Sequence, residues 1–183
     1  MIRIGIIIGS TRPERKGETI ARWVYDIAQK RSDAEFALVD LLDYHLPQLD
    51  EPVPGQYTKD HTKRWANTIA SFDGFVFVTP EYNHATSGVL KNALDFIYYE
   101  WNNKAAGFVG YGSLGGARAV ENLRLIAGEL QMADVRTQVG LSLYTDFVSF
   151  SVFRPDDRQV EMVNGMLNQV IAWSGALKTL RDR

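Results

Sequence analysis

At 183 residues the chain has the size of one domain with a substantial core, so residues 1–183 are read as a single domain. Hydrophobic residues make up 45% of it and charged residues 23%, and the net charge of −2 gives no electrostatic ground for a nucleic-acid partner or an acidic membrane surface. There is no cysteine, which excludes disulfides, thiol catalysis and cysteine metal sites. The apolar run at the N-terminus is too short for a membrane span and has no signal-type cleavage region, so a cytoplasmic protein is expected.

Apolar runs alternate with amphipathic stretches along the chain. Residues 2–8 (IRIGIII) read as a strand buried on both faces, because the run is almost continuously apolar and rich in isoleucine. Residues 18–30 read as a helix with Ile20, Val24, Ile27 and Ala28 on one face. A second strand is expected at 36–41. The stretch 43–57 holds three of the six prolines (Pro47, Pro52, Pro54) and reads as a surface loop. Trp65, Ile69 and Phe72 mark a helix, and 74–79 (GFVFVT) a third strand.

A helix through Val89, Leu90, Ala93, Leu94 and Ile97 follows the turn at 80–87. A fourth strand is expected at 105–109, then a long helix with Val120, Leu123, Ala127 and Leu130 as its face, then a fifth strand at 135–141. Pro155 opens the last helix, where Asp156 and Asp157 suit the helix dipole. Strands alternating with helices imply a doubly wound, mostly parallel α/β sheet of five strands with helices on both faces. The segment 142–153 (SLYTDFVSFSVF) is open between an extra strand, a cover and an oligomer contact.

Ligands of such sheets sit at the carboxyl ends of the strands, beside the point where strand order reverses. The turns after the first, third and fourth strands therefore carry the functional argument. The first is GSTRPERKGET, where hydroxyls, backbone amides and cations meet the start of a helix. That combination suits an anion, above all a phosphate; the competing reading is a loop whose charges face water. A nucleoside-triphosphate P-loop is excluded, because Glu14 stands where that motif needs glycine.

The second turn is TPEYNHATSGVLKNALDF. Pro80 restrains the chain just past a buried strand, and Tyr82, Asn83 and His84 bring polar and aromatic groups to the same edge. A flat heterocycle read by backbone amides and held by aromatic contact fits there; so does a simple turn capped by Ser87. The third turn, GYGSLGGARAVENLR, contains Gly110-x-Gly112-x-x-Gly115 between a strand and a helix. It sits on the fourth strand rather than the first. A tight glycine turn that lets something planar approach the backbone is favoured over a pyrophosphate cradle.

The remaining polar groups point to no other chemistry. His45, His61 and His84 have no metal-ligand spacing, and His84 is read as polar lining. Glu81 and Asp95 are read as a turn residue and a helix-face residue rather than an acid–base pair. Lys63, Arg64 and the terminal Arg181, Asp182 and Arg183 are read as solvated surface.

Taken together, GSTRPERKG, PEYNHATSGVLKNALDF and GYGSLGGARAVENLR resemble the NADPH-dependent FMN reductase family of flavodoxin-like proteins, over 2–171. PEYN followed by GVLKNALD is the most specific part. The resemblance implies a five-stranded parallel sheet with FMN at its carboxyl edge, NADPH or NADH as co-substrate, a small-molecule electron acceptor, and a homodimer or homotetramer. It implies no nucleic-acid or membrane partner. By position, Ser10 and Arg12 would hold the flavin phosphate with amides around Gly17, Glu18 and Thr19, and Lys16 would add charge. Pro80, Glu81, Tyr82 and Asn83 would line the isoalloxazine ring, and Gly112, Ser113, Leu114 and Gly115 would close the other side.

The resemblance also accounts for the lack of an obvious acid, base or nucleophile, since the flavin carries the redox chemistry. Two other readings keep a flavin site without NAD(P)H turnover: a flavodoxin-type electron carrier and a flavin- or redox-sensing module. A carrier usually has a strongly acidic surface, which a net charge of −2 does not supply. The run Asp95-Phe96-Ile97-Tyr98-Tyr99-Glu100-Trp101 holds four aromatics, more than one helix face normally buries. It is expected to form an oligomer contact near the flavin; the alternative is packing beneath the fourth strand.

Overall fold

The isoleucine-rich run forms β1 (Ile2–Ile8), with Ile4, Ile6, Ile7 and Ile8 shut away from solvent. Such a strand needs apolar cover on both faces. In the computed structural model, which describes residues 1–181, β1 lies inside a five-stranded parallel sheet of order β2-β1-β3-β4-β5. Its other strands are β2 (Ala34–Asp40), β3 (Gly74–Pro80), β4 (Ala105–Gly112) and β5 (Ala133–Ser142). Side chains alternate across the pleat: Ile4, Ile6 and Ile8 join one buried cluster and Ile7 the other.

The helices α1 (Lys16–Ala28) and α5 (Asp157–Arg181) cover the first face, where Ile20 and Val24 meet Val163, Met166 and Val170. The opposite face takes α2 (Asp60–Ala70), α3 (Gly88–Asp95) and α4 (Ala117–Glu129), through Trp65, Ile69, Leu90 and Leu123. This is the flavodoxin-like doubly wound architecture that the alternation of runs implies. Among the described residues, no helix is long and apolar enough to cross a membrane.

Several boundaries differ from the sequence reading, each for a local reason. β4 runs on to Gly112, because the glycine turn folds straight back over its end. A Cβ at Gly116 would come within 2.5 Å of the Tyr111 amide nitrogen, and Gly116 itself has φ 70°. The last helix starts at Asp157 rather than at Pro155; Asp156 precedes it and accepts from the amide of Gln159 at 3.2 Å. The open segment 142–153 contains a short antiparallel ribbon, β6 (Phe147–Val148) and β7 (Val152–Phe153). Its Phe153 meets Trp23 of α1 edge-on at 5.3 Å.

The aromatic run after α3 packs inward. Helix α3 ends at Asp95, so the run is not one helix face; Phe96, Ile97 and Trp101 are buried, and Trp101 Nε1 donates to Leu94 O. Tyr98 donates to Glu129 O, which leaves Tyr99 as the exposed member. The packing alternative therefore holds for this segment, and it supplies no interface of four aromatics.

Arg181 also departs from the solvated-surface expectation, while Asp182 and Arg183 lie outside the described residues. At the amino edge of the sheet, Asp73 gathers the amide of Arg3 (3.0 Å), Lys178 Nζ (3.1 Å) and Arg181 Nη2 (2.6 Å). One carboxylate thus joins β1, the start of β3 and the end of α5. Burial by itself would raise the Asp73 carboxyl, but the Arg3 amide and the two cations outweigh it and hold it below the usual range. A carboxyl depressed on folding contributes stability that is complete above its unfolded pKa and is lost as pH falls through the folded value. Asp73→Asn should lower stability at pH 7 by about 1.5–3 kcal/mol, the usual worth of hydrogen bonds to a charged group. Urea unfolding of both proteins from pH 7 downward should show the gap closing under acid; a gap that persists there would count against this anchor.

Candidate active site

The sheet topology brings the three quoted turns to one carboxyl edge. From β1 the chain crosses to β2 on one side, and β3 pairs on the other, which opens a crevice above the β1–β3 junction. The start of the first turn is held on both sides. Gly9 N donates to Val78 O at 2.8 Å, and Ser87 Oγ donates to Gly9 O at 2.5 Å while accepting from Leu90 N as the cap of α3. Ser10 is buried, 3.4 Å from the Tyr82 hydroxyl.

The three cations of this turn do not share one role. Arg15 is folded inward with 7% of its side chain exposed; its Nη1 donates to Asp40 Oδ1 and to Ser10 O, both at 2.8 Å. Its Nη2 also pairs with Asp40 and meets Glu18 at 3.2 Å. Burial works against this charge, but the hydrogen bonds to Asp40 and Glu18 prevail and raise the pKa. Arg12 and Lys16 have no carboxylate partner among the described residues. The Arg12 guanidinium lies 5.9 Å from the Tyr82 ring centroid, and Lys16 Nζ 5.8 Å from that of Phe147.

Two further features suit an anion. No side chain caps the start of α1, so its first amides are free to donate. Below them the Tyr111 hydroxyl is buried beside Ser10 and Gly17, with no well-formed hydrogen bond among the described residues, and burial raises its pKa. Gly17 makes room for it: a Cβ there would stand 2.7 Å from the Tyr111 oxygen. These groups border a cavity of about 390 Å³ whose walls include Arg12, Lys16, Pro80, Tyr82, Tyr111 and Gly112.

The second turn is tied to the third. Glu81 N donates to Tyr111 O at 2.9 Å, and the buried Glu81 carboxylate accepts from Arg118 N at 3.1 Å and pairs with the Arg118 guanidinium. Tyr82 and Ala85 exchange backbone bonds across Asn83 and His84, whose φ values are 49° and 71°. Two left-handed residues in succession are the mark of a type I′ turn. His84 is exposed, with Nε2 2.8 Å from Arg118 Nη1, and lines neither cavity, contrary to its reading as polar lining.

On the far side of Arg12 and Tyr82 lies a larger, open and mostly apolar cleft of about 650 Å³, bordered also by Ser10, Leu46, Pro47 and Val89. The two cavities share Arg12 and Tyr82. The proline-bearing stretch is therefore more than a surface connection. Asn92 of α3 donates to Pro47 O at 2.7 Å and accepts from Leu49 N at 3.1 Å, which fixes that stretch as a wall of the cleft.

Of the residues singled out from sequence, Ser10, Arg12, Lys16, Pro80, Glu81, Tyr82 and Gly112 border one cavity or both. Gly17 packs on Tyr111, Glu18 spends its carboxylate on Arg15 and Arg22, and Thr19 lies within α1. Asn83, Ser113, Leu114 and Gly115 wall neither cavity. Sequence reasoning missed Tyr111, Leu143, Phe150 and the Leu46–Pro47 wall. For Tyr111 a signal existed: it stands inside the third turn, and strand alternation puts it on the α1 face below Gly17.

The model of the family described as NADPH-dependent FMN reductase matches residues 2–146. The chain belongs to the NADPH-dependent FMN reductase family. An NAD(P)H-dependent FMN reductase of Schizosaccharomyces pombe is 41% identical over 158 residues, covering 84% of this chain and 79% of that one. A 2-hydroxy-1,4-benzoquinone reductase of a Burkholderia species is 30% identical over 140 residues, 72% of this chain and 73% of that one. The fold is also that of the flavoenzyme NAD(P)H:(acceptor) oxidoreductase FerB of Paracoccus denitrificans, with a TM-score of 0.77, 19% identity, and 96% and 98% of the two chains covered.

As in the rest of this FMN reductase family, FMN is the cofactor and NAD(P)H the electron donor. The residues present fit a flavin monophosphate: two cations without carboxylate partners among the described residues, an uncapped helix start and the buried Tyr111 hydroxyl border one cavity. Arg12→Ala should weaken FMN binding by about one to two orders of magnitude, since a charge-assisted hydrogen bond contributes about 1.5–3 kcal/mol. Riboflavin, which lacks the phosphate, should bind almost unchanged. Fluorescence titration with both flavins checks this, and equal losses for the two would show that Arg12 is not the phosphate contact.

Proposed function

We propose that residues 1–183 act as one FMN-binding domain that oxidises NAD(P)H and passes the electrons to a quinone, a free flavin, an azo compound or a similar flat acceptor. The observation that carries this reading is the meeting of two cavities at the Arg12–Tyr82 pair, one cationic and suited to a phosphate, the other open and apolar. When bound, FMN supplies the redox chemistry by taking a hydride from NAD(P)H and releasing the electron pair to the acceptor. The chain's part is to bind and orient. Arg12, Lys16, the first amides of α1 and Tyr111 hold the phosphate end, while Ser10, which borders the larger cleft, lies beside the Tyr82 hydroxyl. Backbone at Pro80, Glu81, Tyr82 and Gly112, which border the smaller cavity, flanks the ring, with Asn83, Ser113, Leu114 and Gly115 in the same two turns behind them.

Glu81 is no general acid or base in this reading, because its carboxylate is buried against Arg118. The open cleft admits the nicotinamide donor and the acceptor in turn, and the benzoquinone reductase among the relatives favours a quinone as that acceptor. We further propose a homodimer or homotetramer. With the aromatic run in the core, its support is the partly exposed Leu49, Val53 and Val89, of which Val89 borders the cleft. A cytoplasmic location agrees with a cysteine-free chain and with dependence on NAD(P)H.

Steady-state rates with NAD(P)H and a quinone decide between this reading and a flavodoxin-type carrier. Alternating use of one cleft should give parallel lines in double-reciprocal plots. Intersecting lines would show that both substrates bind together, and no NAD(P)H oxidation by flavin-loaded protein would leave the carrier or sensor reading.

A further inference from the structure

The match to the family model ends at residue 146, and the β6–β7 ribbon follows at once. Its base is firmly anchored. Phe147 pairs with Phe153 across the ribbon, their rings 5.2 Å apart, and Phe153 packs on Trp23. The buried Asp146 carboxylate accepts from Ser142 N at 2.7 Å and from Gln159 Nε2 at 2.5 Å, while the Asp146 carbonyl accepts from Arg154 N at 2.8 Å.

The tip has the opposite character. Ser149 and Phe150 sit at φ 50° and 57°, a left-handed conformation that strains a bulky residue and that glycine or asparagine adopts more readily. Burial does not account for a phenylalanine at this place, since Phe150 is 55% exposed. Its ring touches that of Tyr144 edge-on at 5.4 Å, itself an exposed side chain, and together with Leu143 it borders the cavity of Arg12, Lys16 and Tyr111. A strained, solvent-facing aromatic on a rigid base at the mouth of a cofactor cavity is costly unless a ligand completes its contacts.

We propose that Phe150 is an aromatic cover of the flavin cavity, whose ring closes against the uncharged part of bound FMN. This rests on the FMN reading above. The cover is a binding contact, distinct from the phosphate contacts of Arg12 and Lys16. It therefore acts on FMN and riboflavin alike, and the tip strain is retained because it aims the ring into the cavity.

The test is fluorescence titration of flavin-free protein with FMN and with riboflavin, together with the melting temperature of the flavin-free proteins. Phe150→Gly should weaken both flavins by the same factor, about three- to tenfold, the range of an aromatic contact. Its melting temperature should hold or rise, because glycine relieves the strained φ. Phe150→Tyr, which keeps the ring, should bind both flavins as the wild type does. Unchanged affinity of Phe150→Gly for both flavins would overturn the proposal. So would loss for FMN alone, or a clear fall in melting temperature, which would make the ring a structural contact of Tyr144. If wild-type protein takes up neither flavin, the FMN reading itself fails and the cover falls with it; a failure of the cover alone leaves wild-type binding intact.

Discussion

Arg15 carries a full positive charge into the end of the sheet with almost none of its side chain in water. Its two carboxylate partners and the Ser10 carbonyl make that possible, and in doing so they bind the end of β2, the end of β1 and the first turn of α1 into one unit. Removing either partner would leave the inward-folded cation undercompensated. The shape of the phosphate-type turn thus depends on a cation that is no longer available to a ligand. What remains for an incoming anion is Arg12, Lys16 and the helix start, held in place by Arg15 behind them.

The other two turns are fastened in the same manner, by side chains reaching to backbone or charge on a neighbouring turn. Ser87 ties the start of α3 to Gly9, and Glu81 ties the end of β3 to the first turn of α4 through Arg118. Each contact joins segments far apart in sequence, so the ligand edge is held by the chain's own side chains. Preorganisation of this kind lowers the ordering cost of binding. It also leaves the chain with few polar side chains free for chemistry, which suits a site whose cofactor performs the reaction.

The layered fold was readable because burial writes a period into the sequence: an isoleucine-rich, almost continuously apolar run in β1, and apolar residues at helical spacing in α1 and α4. The partition of the loop cations was not. Arg12, Arg15 and Lys16 look alike in the string, and only the fold brings Asp40 to Arg15 from 25 positions away. The wall at Pro47 was hidden for the same reason, since Asn92 grips it from 45 positions on. The aromatics at 96–101 misled because helical spacing was assumed past Asp95, whereas the chain leaves α3 there and turns Trp101 into the core. The glycine motif showed a turn clearly, but its spacing alone did not reveal that the missing side chain of Gly116 makes room for the strand it has just left.

Arg12 faces two demands, because it borders both cavities and rests on the ring that separates them. Its contact with Tyr82 belongs to a class worth about 0.5–1 kcal/mol at an exposed site. A charge-assisted hydrogen bond to a phosphate contributes about 1.5–3 kcal/mol. The phosphate contact is the larger of the two, and a guanidinium has donors enough to make it without leaving the ring. The weaker contact then serves to hold Arg12 beside Tyr82, which is partly exposed, near Ser10, and a wall common to both cavities.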